Sequence, residues 1–466
     1  MALSCVLYAS AQITTASLRG VVKNQSNEIL VGATVVLSHP QTGREYAVAT
    51  DRDGRYSLHG VRPSEGYSLE VSYVGYQTAR SQGLVLRVGE QAERDVVLEE
   101  ATTLDAVVVS VQKLSSGEMS GRFDEKAISQ MPTVSRSLYD VVRLMPQAVA
   151  NKSGGMSYGG VANRYNAFMV NGVANNDMYG LSSSGTNGGL SNANPVALDA
   201  IEQIEVAVAS YDVRMSGFCG GEINAITKSG ENEFAGSAYT YYNNQDFYGS
   251  TAGRDVAKRE KLPQQATQIY GVTLGGPIVK NKLFFFLSGE YNLESSPSSY
   301  YLGYDGVVLD AEELARISNR YKALTGYDGG GTGGRDVERR SGSLLASLDW
   351  QINSNNRLSA SYSYLDARAE EYGNSLTSFT FNGSGYANYS TAHYLALSLE
   401  SRLSDHLHNT LRVGFSRVGD GRKPDVGGDL PSVIIRNAGQ TGGVSINIGN
   451  NRYAGINDLK QNVLTL

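Results

Sequence analysis

Few residues of this chain have the types and spacing that chemistry needs. The chain has five histidines, His39, His59, His393, His406 and His408. None falls in an HExxH or HxxE arrangement, the spacing that puts two imidazoles or an imidazole and a carboxylate on one zinc ion. His406-x-His408 reads as a solvated turn. Asp51-Arg-Asp53-Gly54 begins like a calcium loop but lacks the later acidic ligand, so a β-turn is the expected structure. Gly329 to Gly334 is glycine-rich, yet no Lys-Ser/Thr pair follows it, so it is expected to be a flexible loop and not a phosphate cradle. The cysteines, Cys5 and Cys219, form no metal-binding group. No Ser–His or Cys–His set can be assembled. The expectation is no enzymatic activity, no metal and no cofactor.

Composition narrows the class. The 466 residues carry a formal charge of −6, with a sequence pI near 5.6. No basic face is available for phosphates, so nucleic acid is not expected as a partner. The longest strongly apolar run, Leu283 to Leu287, is far below the roughly 20 residues of a membrane helix. A membrane β-barrel stays open, because alternating strands average to neutral hydropathy. The 29 Tyr against one Trp suit rings placed at a membrane–water boundary. At the N-terminus Leu3 to Tyr8 is mostly apolar, and Ala9-Ser10-Ala11 fits a small-x-small cleavage site. Residues 1–11 therefore read as a signal peptide, incomplete because a basic n-region is missing. Cleavage there removes Cys5 and leaves Cys219.

Residues 17–99 hold short β-prone runs about every ten residues, separated by Gly-, Asp- and Pro-containing turns, the spacing of a β-sandwich. Tyr67, Leu69, Val71 and Tyr73 alternate with polar residues, giving one buried and one wet face. Gly20-x-Val22, Gly32-Ala33-x-Val35, Thr50-Asp51-x-x-Gly54-x-Tyr56 and Tyr73-Val-Gly75-Tyr76 resemble the carboxypeptidase-regulatory-like, transthyretin-type domain. A connector leads to Leu104, Asp105, Ala106, Val107, Val108, Val109 and Ser110. This β-prone run between solvated segments resembles the TonB box of Bacteroidetes receptors, with Ala106 in place of the usual Glu and Ser110 in place of Thr.

Residues 115–230 read as a second, α+β unit. Leu138, Val141, Val142 and Met145 form a helical stripe ended by Pro146. Asn171-Gly172 is a strand–turn signal. The run Ile201 to Val206 resembles the "IExIEV" strand of TonB-dependent receptor plugs, and Gly220 to Lys228 their "GGxINxxTK" motif. The spacer from Ala209 to Cys219 resembles the Oar-like branch of that family. Residues 175–194 are expected to be a loop and not a core element.

From Glu233 onward the pattern speaks without the family. Leu344, Ala346, Leu348, Trp350 and Ile352 alternate with small or polar residues, as do Leu358, Ala360, Tyr362 and Tyr364, then Leu395, Leu397 and Leu399, and Leu411, Val413 and Phe415. Each run is about ten residues long, the length of a tilted membrane strand. Tight turns at 280–282, 353–356 and 404–406 alternate with long polar stretches at roughly 244–264, 295–340, 370–390 and 419–460. Seven strands and the start of an eighth at 462–466 fit in residues 233–466. A plugged barrel needs about 22 strands, so the chain is expected to be a C-terminally truncated fragment.

The fold class expected is thus mainly β: a transthyretin-like sandwich, an α+β plug and a partial transmembrane barrel. The resemblance implies an outer-membrane location with the N-terminal domain in the periplasm. It also implies active import of a ligand of unknown class, a TonB-type periplasmic energy-coupling partner at Leu104 to Ser110, contact with outer-membrane lipid, and room for a surface lipoprotein partner. Asn175, Asn176, Asp177 and Tyr179 are the candidate ligand contacts. The rival reading is a surface adhesion or assembly scaffold without transport.

Overall fold

The computed structural model describes residues 14–100, 120–131, 133, 136–150, 155–177, 179–180, 182, 184–208, 219–250, 260–304, 309–404, 407–426, 430–438, 443–451 and 458–465. The sequence expectations for 1–11, for the box at 104–110 and for the spacer at 209–218 lie outside the described residues.

The first unit is a sandwich of two four-stranded sheets. Its strands are β1 (Ala16–Asn24), β2 (Thr34–His39), β3 (Arg44–Ala49), β4 (Arg55–Val61), β5 (Ser64–Ser72), β6 (Ala79–Leu86), β7 (Gln91–Glu93) and β8 (Val96–Leu98). One sheet runs β3-β2-β5-β6; in the other, β1 pairs antiparallel with β4 and parallel with both β7 and β8. Alternating residues of both sheets, including Leu18, Val22, Val35, Leu37, Tyr67, Leu69 and Val71, close a core made only of sandwich residues. Gly20 permits the tightest approach in it: a Cβ there would lie 1.7 Å from the Arg94 carbonyl oxygen. Asp51 to Gly54 is a turn, with the Asp51 carboxylate accepting from the backbone N–H groups of Asp53 and Arg55 and Gly54 at φ +68°.

The second unit is built on a five-stranded sheet of order β13-β12-β15-β14-β9. It comprises β9 (Ser120–Asp124), α1 (Glu125–Gln130), α2 (Leu138–Val142), the hairpin β10 (Ala148–Ala150) and β11 (Met156–Tyr158), then β12 (Ala167–Val170), β13 (Val173–Ala174), β14 (Ile201–Ala207) and β15 (Glu222–Thr227). Asn171 and Gly172, at φ +50° and +76°, turn β12 into β13. The helix expected up to Pro146 is shorter than its apolar stripe. It starts at the Ser137 cap, since Arg136 sits at φ +50° outside any helix, and gives way at Arg143.

The third unit is an eight-stranded antiparallel sheet. In order it contains β16 (Ala235–Asn244), β17 (Ala266–Val279), β18 (Leu283–Pro297), β19 (Asp336–Asn353), β20 (Asn356–Glu371), β22 (Tyr386–Ser404), β23 (Leu407–Pro424) and β26 (Asp458–Thr465). Between its strands lie α3 (Ala311–Thr325), β21 (Ser378–Thr380), β24 (Val433–Ala438) and β25 (Val444–Ile448). The register places Tyr270, Leu274, Leu287, Tyr291, Leu344, Leu348, Trp350, Tyr362, Leu395 and Phe415 on one face. All of these side chains are exposed. So broad an apolar surface, rimmed by Trp350 at one end and tyrosines at the other, requires lipid. From Ile352 to Gly342 the apolar face spans about ten residues, or roughly 25 Å once strand tilt is allowed for.

Several barrel strands are longer than the expected ten residues; β22 has 19. Pairing continues past the lipid, where both faces turn polar and the alternation read from sequence stops. The stretches read as polar loops also fold. α3, β21, β24 and β25 close a separate outward lobe around Leu314, Tyr321, Phe379, Phe381, Ile446 and Ile448. Glycines in the 329–334 run pack against this lobe: a Cβ on Gly329 would meet Phe381 and Ile448.

Candidate functional site

The inner face of the barrel sheet holds the plug. Phe286 and Leu345, from β18 and β19, belong to the same core as Ile204, Val206, Ile223 and Leu198 of the plug. Leu365, Ala367, Tyr394 and Val418 close over Val173 and Ala193. Asn171, in the turn between β12 and β13, donates to Thr227 Oγ1 at 2.9 Å and to Ser361 Oγ of β20 at 3.1 Å. Arg136 stacks on Tyr241 of β16, its guanidinium carbon 4.0 Å from the ring centroid, and pairs with Asp199.

The candidate ligand contacts share one plug loop but differ in availability. Asn175 is 2% exposed, and its Oδ1 accepts the Tyr394 hydroxyl at 3.0 Å. Asn176 accepts from the Phe168 N–H and donates to the Asn166 carbonyl at 2.6 Å. Asp177 accepts from the N–H groups of Tyr179 and Ser182, shaping the turn. Tyr179 is 48% exposed, and its hydroxyl donates to the Lys460 carbonyl of β26 at 3.2 Å. The described residues of 175–194 hold no strand and one short 3-10 turn, Gly189–Ser191, but Asn175, Thr186, Asn187, Ser191 and Ala193 are buried. The barrel wall supplies the cover: Asn388 donates to the Leu190 carbonyl at 3.2 Å. A Gly- and Ser-rich stretch carries no hydropathy signal of such burial.

A second site was not foreseen. Arg62, at the corner between β4 and β5, donates to Asp349 of β19 at 3.0 Å, to Glu202 of β14 at 2.8 Å and to the Thr227 carbonyl at 3.0 Å. One guanidinium thereby joins sandwich, plug and barrel. Arg357 of β20 donates to the other oxygen of Asp349 at 2.9 Å, where Ser359 also donates at 2.7 Å. Arg44 reaches Ser229 at 3.0 Å and Phe284 at 5.4 Å. Burial opposes the charge on Arg62, but the Asp349 and Glu202 carboxylates outweigh it and raise its pKa above the ordinary arginine value. Arg44, desolvated and beside Arg357, is lowered to about 10. These charges are scattered over three units, so no local spacing marks them; Asp349 between Leu348 and Trp350 is legible only as inward-facing.

These features define an outer-membrane β-barrel sheet with a plug-like unit seated on its inner face and a β-sandwich preceding both in sequence. Residues 17–99 match the carboxypeptidase regulatory-like domain, and residues 226–304 match the outer membrane beta barrel domain. The chain is a homologue of the TonB-dependent transporter Oar of Myxococcus xanthus: the two are 26% identical over 307 residues, 60% of this chain and 27% of the relative. The outer membrane transporter YddB of Escherichia coli shares its fold with a TM-score of 0.50 at 12% identity, over 74% of this chain and 44% of that one. The siderophore receptor PirA of Acinetobacter baumannii superposes with a TM-score of 0.43 at 19% identity, over 74% of this chain and 43% of that one. The chain thus spans about a quarter of the Oar relative. It is an outer-membrane barrel protein.

Proposed function

We propose that this protein imports a ligand across the outer membrane. A TonB-type periplasmic partner would energise the process by adding a strand to Leu104–Ser110. The observation carrying this reading is the seating of the plug sheet on the inner face of a lipid-facing sheet; in sequence, Leu104–Ser110 precedes the first strand of that plug sheet, β9. A β-prone strand suits such a partner because main-chain hydrogen bonds bind it without demanding particular side chains. Ligand would meet the outward lobe and the plug loop bearing Asn175, Asn176, Asp177 and Tyr179, with Tyr179 the most accessible of the four. A ligand drives release only as far as it binds the released state more tightly. The chain would act as a transporter and not as an enzyme.

Val108→Pro in the full-length protein is the test. Proline removes a strand N–H and blocks addition of a partner strand. Binding of the purified periplasmic domain of a TonB-type protein, measured by calorimetry, should fall at least about tenfold, while the barrel keeps its heat-modifiable migration. Unchanged binding would sink the coupling role of this segment and favour the scaffold reading.

A further inference from the structure

We propose that the N-terminal sandwich is a latch on the plug, pinned by Arg62, and that the plug stays seated while the sandwich is docked. The contact has the character of a separable joint. Among the described residues, the sandwich core contains no plug or barrel residue, and the plug core contains no sandwich residue. What joins the sandwich to the rest is mostly polar, with Arg44 over the Phe284 ring and the His59 and His408 rings in contact as the aromatic additions. Besides the Arg62 bonds, the Val88 N–H donates to Gln203 Oε1 at 3.0 Å, the Asn232 N–H donates to the Gln41 carbonyl at 3.0 Å, and Arg402 donates to the Ala47 carbonyl. Polar joints between domains with separate cores permit relative motion.

The charges permit undocking as well. Breaking a buried ion pair is costly when it strands one partner. Here Asp349 would keep Arg357 and Ser359 from its own barrel wall, and Arg62 and Glu202 would both return to water. Two states without a stranded buried charge are what a latch needs.

Chain topology puts the latch in the line of force. Residues 101–119 separate Glu100, bridged to Tyr76 of the sandwich, from Ser120, where β9 pairs with β14. Glu202 and Gln203, both held by the sandwich, lie on β14 itself. A strand added between these anchors would load the sandwich and the plug together, so release of Arg62 would precede or accompany plug movement. This inference rests on the import reading in naming the plug as the part that moves and residues 101–119 as the place where the pull is applied.

The test uses the full-length protein in lipid vesicles and reads amide hydrogen exchange at 201–207 and 222–227. Arg62→Ala should speed exchange there about tenfold, with 34–39 and 64–72 of the sandwich unchanged. The pair Gln41→Cys and Asn232→Cys, adjacent through a backbone hydrogen bond, should slow plug exchange when oxidised and restore it on reduction. Plug exchange indifferent to the disulfide, or an Arg62→Ala increase shared equally by the sandwich, would overturn the latch. Neither measurement involves a ligand or an energising partner, so such a failure leaves the import reading standing, and failure of the Val108→Pro test leaves the latch standing.

Discussion

Tyr394 of β22 and Asn175 of the plug share a hydrogen bond of 3.0 Å, hydroxyl to side-chain carbonyl, inside the barrel wall. Both residues are buried, so the bond ties the apical plug loop to a strand whose other face meets lipid. Burial pushes the cost of leaving either group unpaired above that of a surface bond. Tyr394→Phe keeps the ring and strands the Asn175 carbonyl. It should cost about 1–2 kcal/mol, concentrated in the loop. Hydrogen exchange at the Asn187 amide, which donates to the Asn175 carbonyl, should rise, while the barrel melting temperature in detergent stays within a few degrees. Equal protection in both proteins would refute the tie.

The sandwich has its own weak point at Gly20. A methyl group there would collide with the Arg94 carbonyl oxygen, which also accepts the buried Tyr56 hydroxyl at 2.6 Å. The Arg94 N–H meanwhile donates to the Arg19 carbonyl at 2.7 Å. Gly20→Ala must part β1 from the 91–94 segment and weaken both bonds. A loss of about 2–4 kcal/mol is expected. Exchange across 16–24 would report it, and a stability matching the wild type would show that the strands shift without cost.

His39 makes the sandwich sensitive to mild acid. Its ring is buried, packs edge-on against Tyr67 at 4.9 Å, accepts from the Thr42 N–H through Nδ1, and meets Ser64 Oγ at 3.2 Å. Burial, then the Arg44 charge, lowers its pKa below 6.5, against smaller opposing effects from the Glu65 backbone and Glu202. The unfolded chain therefore takes up this proton at a higher pH than the fold does. His39 contributes stability that is fully present above about pH 6.5 and lost as pH falls through the lower folded value. Thermal unfolding of the sandwich, followed between pH 8 and pH 5, should show a falling midpoint, and His39→Gln should flatten that slope. An unchanged slope would assign the acid sensitivity to other groups.

What the sequence disclosed follows the reach of each physical signal. Alternation at Leu344 to Ile352 exposed the lipid face because a two-residue period survives wherever one side meets lipid. The turn at Asn171-Gly172 was legible because left-handed backbone demands those residues. The Arg62 junction was hidden: Arg62, Glu202 and Asp349 lie in three units, and only the docked fold brings the Arg62 guanidinium within 3.0 Å of both carboxylates. The outward lobe was hidden for a related reason, since Phe379, Phe381, Ile446 and Ile448 come from two separate polar stretches that supply only a few apolar residues each.

Arg136 offers a prediction in which two effects oppose each other. Its backbone sits at φ +50°, a left-handed conformation costing a non-glycine residue about 1–2 kcal/mol. Its guanidinium lies 4.0 Å from the Tyr241 ring and 5.3 Å from Tyr239 and pairs with Asp199; a desolvated cation–π contact is worth up to about 2 kcal/mol. Arg136→Ala keeps the strain and loses the contacts, so the plug should loosen against β16 by about 2 kcal/mol. Arg136→Gly loses the same contacts but relieves the strain, and should recover about half of that deficit. Proteolytic nicking of the plug in detergent should therefore run fastest in Arg136→Ala, slower in Arg136→Gly and slowest in the wild type. If the glycine variant were nicked as fast as the alanine variant, backbone strain at this position would have no part in seating the plug.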